Sequence, residues 1–215
     1  MKVYFQIGTN NGNDRFRKKV ISEKPDIVIL VEPNSDLIDT IKNNYKDISN
    51  VYVYNNAIYY SSNQEVELGI PAKGGVIGSK ADNGHHYGDA HFSLLPMNDW
   101  GKREDMAWIK AKTITFDDIC KNHNINEIEY LQIDTEGFDS EIIKMLNLDE
   151  YKINNIRFEI WSFDETCFKD YNPDKWKELG KAGMTMVYEK LTKYRYTFSK
   201  INDEDGDDIL ATLCV

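Results

Sequence analysis

Short apolar runs alternate with longer amphipathic or polar stretches along most of this 215-residue chain. Val3–Ile7 is an apolar run that stops at Gly8, and Asp14–Lys24 is helix-compatible. The run from Asp26 to Val31, introduced by Pro25, is rich in β-branched residues and predicts a buried strand. Asn34 or Ser35 can cap a helix that places Leu37, Ile38 and Ile41 on one face. Val51–Tyr54 predicts a third strand, and Tyr59–Ile70 a hairpin turning at Ser62-Asn63. Thr115 to Asp118 predicts a capping box, with Asp in place of the usual Glu, for a short helix through Cys120. Ile128–Ile133 and Ile156–Trp161 are strand-like, and Gly137–Leu146 and Asp174–Ala182 are helical by period. Tyr194–Ile201 and Ile209–Val215 predict a closing hairpin around Asp205-Gly206. This rhythm predicts an α/β fold: a doubly wound, mostly parallel sheet with helices on both faces and an antiparallel pair at its end.

The segment from about 71 to 110 breaks the rhythm. It holds Gly74, Gly75, Gly78, Gly84, Gly88 and Gly101, with His85, His86, His91, Trp100 and Trp108. A connection of that length inside a compact domain is commonly functional. It reads as a substrate-facing insertion within a single domain spanning 1–215.

Charge narrows the partners. Acids outnumber bases 36 to 26, for a net charge of −10. Phosphate-tracking surfaces carry a basic excess, so generic nucleic-acid binding is disfavoured. No run approaches the roughly 18 apolar residues of a membrane span. Met1-Lys2-Val3 leads straight into the first strand, as expected of a chain without a signal peptide. Cys120, Cys167 and Cys214 are far apart and form no C-x-x-C pair, which fits free thiols in a reducing, cytoplasmic setting.

Candidate site residues fall at the predicted carboxyl ends of strands, where open parallel sheets bind ligands. Gly8-Thr9-Asn10-Asn11-Gly12 follows the first strand, and glycine there lets backbone approach a ligand closely. The G-x-x-x-G spacing is a poor match to a dinucleotide turn. Glu32, followed by Pro33, closes the second strand, where an acid can accept both hydroxyls of a ribose. Asn56-Ala57 follows the third strand, where a backbone amide can meet an adenine ring. Asp134 and Glu136 lie two apart at the end of a later strand, and share a face if the chain there is extended. Asp203, Glu204, Asp205, Asp207 and Asp208 do not place Gly206 in the register of a calcium loop, so a solvated hairpin tip is expected.

Ile133-Asp134-Thr135-Glu136-Gly137 resembles the Ile-Asp-x-Glu-Gly signature of the FkbM-type methyltransferases. In order along the chain, Gly8–Gly12 resembles the family's Gly-Ala-Asn-x-Gly turn, and Val31-Glu32-Pro33 its Glu-Pro acid. Asn56-Ala57 with Glu65-Val66-Glu67-Leu68 resembles its Asn-Ala…Val-x-Leu stretch, and Ser93-Leu94 a Ser-Leu element. The resemblance implies a Rossmann-like class I fold of about seven strands and S-adenosylmethionine as cofactor. It implies cofactor contacts at Gln6, Gly8, Thr9, Asn10, Asn11, Gly12, Glu32, Pro33, Asn56, Ala57 and Asp134. The family usually carries an acid where this chain has Gln6, whose amide can still accept a hydrogen bond from the cofactor's ammonium without the charge.

A hydroxyl acceptor benefits from a general base, for which Asp134 and Glu136 are the candidates, joined by Glu159 and His91. Repulsion between close carboxylates would raise one pKa and suit it to that role. Three acids with a histidine could instead hold Mg²⁺. His123, near a helix end, reads as structural. The expected activity is O-methylation of a sugar or other small molecule. The alternatives are RNA 2′-O-methylation, which would want a basic groove, and a non-catalytic binding module, which Gln6 favours.

Overall fold

The computed structural model describes residues 1–71, 93–94, 106–159, 183–203 and 206–214. Its elements, in chain order, follow the predicted alternation. β1 (Val3–Ile7) is buried throughout and leads to α1 (Arg15–Glu23). Asp14 caps α1 by accepting from Arg17 N at 2.9 Å. The helix stops at Lys24, left-handed at φ 47°, whose N–H returns to the Val20 carbonyl. Pro25 then introduces β2 (Ile27–Val31). Asn34 caps a 3₁₀ turn at Ser35–Leu37 that runs into α2 (Ile38–Asn44), and β3 (Val51–Tyr54) follows.

Next come β4 (Ala57–Ile58), β5 (Glu65–Pro71), β6 (Met106–Ile114) and α3 (Phe116–Asn122). β7 (Glu127–Ile128) precedes β8 (Tyr130–Ile133) and α4 (Asp139–Met145). β9 (Lys152–Ile153), β10 (Asn155–Glu159), α5 (Met184–Lys193), β11 (Tyr196–Asp203) and β12 (Gly206–Leu213) complete the set.

Seven strands form one sheet in the order β3-β2-β1-β8-β10-β12-β11. β12 alone runs against its neighbours, pairing antiparallel with both β10 and β11. From β1 the chain builds outward on one side through β2, then returns to the other side with β8. The crevice between the carboxyl ends of β1 and β8 is thus the point where the winding reverses. Alternation along β1 splits the core. Val3, Phe5 and Ile7 join a cluster with Phe116, Phe138, Ile142 and Val187, while Tyr4 joins Phe16, Val20 and Ile41 on the opposite face. Truncating a side chain such as Phe138, 1% exposed, would cost about 3–5 kcal/mol.

Three expectations need correction. Tyr59–Ile70 forms no hairpin with itself. The turn at Ser62-Asn63 is present, but β5 pairs antiparallel with β6, from Glu65↔Lys112 to Pro71↔Met106, and β4 pairs parallel with β6. Thr113 explains the choice. Its hydroxyl donates to the Ser61 carbonyl at 2.6 Å and accepts from Gln64 N at 2.9 Å, and its carbonyl accepts from Asn63 N. The capping box at Thr115 is also indirect. Thr115 Oγ1 accepts from Asp118 N, but the return arm runs through Ser62, whose hydroxyl accepts from Thr115 N at 2.9 Å and donates to the Asp118 carboxylate. Aspartate is one methylene shorter than glutamate, and Ser62 fills the gap. α5 was not anticipated. Val187 and Leu191, one turn apart and wholly buried, seat it, and Lys190 Nζ donates to the Lys144 and Leu146 carbonyls at the end of α4. The helix expected at 174–182 lies outside the described residues. Among the described residues no helix is long and apolar enough to cross a membrane.

Candidate active site

The turn after β1 is shaped by one close approach. Gly8 has φ +83°, and a Cβ there would lie 1.7 Å from the Asp134 carbonyl oxygen. Only glycine lets the ends of β1 and β8 meet this closely. Gly8 N and Thr9 N both donate to the Val31 carbonyl, at 3.0 and 3.2 Å, so the turn is also tied to β2. Glu32 completes the tie. Its carboxylate, 4% exposed, accepts from Asn10 N and from Asn34 N, each at 2.8 Å.

Asp134 leaves β8 with its N–H donating to the Ile7 carbonyl at 3.0 Å. The chain then turns instead of staying extended. Glu136 is left-handed at φ 53° and Gly137 has φ 116°. The shared orientation expected from strand alternation is therefore not how Asp134 and Glu136 come together; a turn does it. Asp139, wholly buried at the start of α4, holds that turn by accepting from Thr135 N and Thr135 Oγ1, each at 3.1 Å.

Two adjoining chambers open over this rim. The first encloses about 630 Å³ of space that is continuous with solvent. It is lined by Glu32, Pro33, Asn56 and Ala57, with Ile58, Leu68, Leu94 and Phe138 as an apolar wall. Phe138 is itself stacked against Tyr59, with ring centroids 6.1 Å apart. Leu94 arrives from the expected insertion because Ser93 bridges to Gly69, with N–O distances of 2.9 and 3.0 Å. The second chamber is larger, about 1150 Å³, and polar. Thr9, Asn11, Asp14, Gln132, Arg157 and Glu159 contribute to its lining. Gly8, Asn10, Asp134 and Glu136 line both chambers and mark their junction.

Burial pushes the Asp134 carboxyl well above the usual aspartate range, and the nearby negative charges of Glu159 and then Glu136 push it further. Burial raises Asp139 in the same way, with Asp134 adding to it. Asp134 therefore holds or takes up a proton more readily than an exposed aspartate.

The structure separates the sequence candidates. Gly8, Asn10, Glu32, Pro33, Asn56, Ala57, Asp134, Glu136, Thr9, Asn11 and Glu159 all reach a chamber. Gly12, at φ +70°, instead packs against Tyr45 and Ile41 and lines neither. Gln6 is wholly buried and also lines neither chamber. Its Nε2 donates to the Asp14 carboxylate, so the negative charge missing at position 6 stands one residue further out, at the cap of α1. His91 lies outside the described residues, as do His85 and His86. His123 is structural, its Nε2 2.8 Å from the Tyr54 hydroxyl. Mg²⁺ finds no support: among the described residues no three His, Cys, Asp or Glu side chains gather as a metal site.

Sequence reasoning missed Gln132, Arg157, Asp14 and Asp208 on the second chamber. Gln132 could have been found from the register, since it sits beside Gln6 in β1 and Arg157 in β10.

The chain is similar to TrmK of M. capricolum bound to S-adenosyl-homocysteine, with 12% identity and a TM-score of 0.47 over 98% of this chain. It spans 60% of that protein's chain. It is also similar to an O-methyltransferase from Bacillus cereus, with 10% identity, a TM-score of 0.48, and 98% of this chain and 74% of that one covered. Similarity to the Podospora anserina methyltransferase PaMTH1 reaches 10% identity and a TM-score of 0.48, over 100% of this chain and 72% of the other. No curated protein matches the sequence. The model of the methyltransferase FkbM domain, by contrast, matches residues 6–198, from the first strand into the closing hairpin. On that match, the chain belongs to the FkbM methyltransferase family.

Proposed function

We propose that this chain is an S-adenosylmethionine-dependent O-methyltransferase whose acceptor is a hydroxyl on a sugar or other small molecule. The supporting observation is the pair of chambers joined at Gly8, Asn10, Asp134 and Glu136, one with an apolar wall beside Glu32 and one polar. The residues present fit the cofactor. Glu32 offers buried carboxylate oxygens beside Pro33 and Ala57, as a ribose and an adenine ring need. Asn10 Oδ1 is sealed at the junction with no hydrogen-bond partner among the described residues, and would welcome a donor there.

The cofactor would supply a methyl group activated by its positive sulfur, so that an O–CH₃ bond forms as the S–CH₃ bond breaks and a neutral thioether leaves. The chain's part is alignment and proton removal. Asp134 stands at the junction with its pKa raised by burial, Glu159 and Glu136, and is the group suited to take the hydroxyl proton. Glu136 and Glu159 keep the surroundings negative, which favours the positive sulfonium. RNA as acceptor is disfavoured because carboxylates outnumber cations among the described residues that line the second chamber.

Calorimetry with S-adenosylmethionine tests the reading first. One saturable site is expected, and absence of binding would overturn it. Asp134→Ala should keep cofactor binding and lose about 10²–10⁴ of the transfer rate. Full transfer in that variant would remove Asp134 as the base.

A further inference from the structure

Behind the apolar wall of the first chamber lies a buried carboxylate that the cofactor reading does not use. Glu141, in the first turn of α4, is 0% exposed. Charged side chains are almost never enclosed to that degree unless paired. Its Oε2 accepts from the Tyr60 hydroxyl and lies 3.4 Å from Lys144 Nζ. Lys144 Nζ also stands 5.9 Å from the centroid of the Tyr60 ring. Burial and the facing Glu141 hold the Tyr60 phenol well above its usual pKa, so it keeps the proton that it donates.

Neither partner lines the first chamber, but each is joined to a wall of it. Tyr60 follows Ala57 and Ile58 by two residues, and Glu141 lies between Phe138 and Ile142; those four residues line the chamber. The two walls have separate origins. β4 belongs to the three-stranded sheet β4-β6-β5, whereas α4 follows β8 of the seven-stranded sheet. Aromatic rings run from one wall to the other. Tyr59 stacks on Phe138, with centroids 6.1 Å apart, and meets Tyr60 edge to face at 5.5 Å. The Tyr60–Glu141 hydrogen bond closes this chain of contacts into a ring, because Glu141 returns it to the helix that Phe138 introduces.

We infer that Tyr60 is a positioning residue for the cofactor: by donating to Glu141 it sets the spacing between the Ala57–Ile58 wall and the Phe138–Ile142 wall, and so pre-forms the slot that an adenine ring enters. This rests on the methyltransferase reading and names a residue outside the chamber that controls its affinity. The chamber is continuous with solvent, so its width depends on what ties its walls together. Without the phenolic hydroxyl the walls part more often. A nucleoside that binds only the closed arrangement then binds more weakly, in proportion to the fraction of molecules that are closed. Tyr60 is 43% exposed, so removing its hydroxyl opens no cavity in the core.

Calorimetry of the full chain with S-adenosylhomocysteine, well below the melting temperature, tests this. Tyr60→Phe should bind about tenfold more weakly than the parent. Glu141→Leu offers no acceptor, so adding Tyr60→Phe to it should cost no further affinity. Tyr194→Phe is the control. It removes another phenol–carboxylate bond, to Asp149 at 2.7 Å, from a residue that lines neither chamber over the rim, and should leave the affinity within about twofold. Parent-like affinity in Tyr60→Phe would overturn the inference, whatever its melting temperature. So would independent, additive losses in the double variant, or an equal loss in Tyr194→Phe, since affinity would then follow general stability. Those results leave the methyltransferase reading standing; failure of the parent to bind S-adenosylhomocysteine removes both.

Discussion

Replacing Gly8 by alanine puts the central crevice under direct test. The added Cβ would sit 1.7 Å from the Asp134 carbonyl oxygen and 2.7 Å from its carbon. A relaxed carbon–oxygen contact is about 3.3 Å, so one strand end must retreat by about 1.6 Å. The obstacle is backbone and cannot rotate away. The retreat would strain the Asp134 N–Ile7 O bond and the Gly8 N–Val31 O bond, both 3.0 Å, and losing one costs about 1 kcal/mol. Holding alanine at φ +83° costs roughly 1–2 kcal/mol more. The sum, about 2–3 kcal/mol, lies below the ~5–15 kcal/mol stability of a typical domain, so the variant should still fold. Because Gly8 and Asp134 line both chambers, the displacement also falls on the proposed cofactor site. Urea unfolding should show the stability loss, and S-adenosylhomocysteine affinity should fall by about 30-fold or more. Gly12→Ala is the control. At φ +70° its Cβ would meet the Tyr45 ring at 3.1 Å, a side chain that can shift, so the loss should be smaller and binding nearly unchanged. If Gly8→Ala matched the parent in both stability and affinity, the argument that these strand ends form the site would fail.

Two further predictions concern charge. The folded Asp134 carboxyl has a pKa above the ordinary 3.8, so the folded state holds the proton longer and stability falls as pH rises from 3.8 through the folded value. Asp134→Asn should therefore be more stable than the parent at neutral pH, with the gap closing toward pH 3.8; a gap constant with pH would refute the assignment. Glu23 shows the opposite sign. Hydrogen bonds from Lys19, Tyr4 and Lys2 hold its carboxyl down to about 2, from 4.5. Its contribution is complete above pH 4.5 and disappears as pH falls toward 2. The site is a third exposed, so Glu23→Gln should cost only about 1 kcal/mol at pH 7, with melting curves converging in acid.

Much of the site was legible because its residues are local to strand ends. Glu32 follows a β-branched run and precedes a proline, and Asp134 ends a run that a glycine-bearing turn closes. Such placements depend on neighbours a few residues away. Three features depended on distant chain. β5 found its partner in β6 through Thr113, with Gln64 and Thr113 nearly fifty residues apart. The box at Thr115 was completed by Ser62. The negative charge behind the first glycine turn came from Asp14, through Gln6.

From order and periodicity alone, the chain's strands, helices and acidic strand ends followed, because a strand's face and a helix's cap are set within a few residues. Which glutamine lines a chamber was decided only in three dimensions. Gln6 and Gln132 occupy equivalent places on adjacent strands, yet one is enclosed behind Asp14 and the other reaches a chamber. Residue type and spacing are the same for both. What differs is the packing of α1 over the sheet, and that packing sums contacts from segments that no local pattern connects.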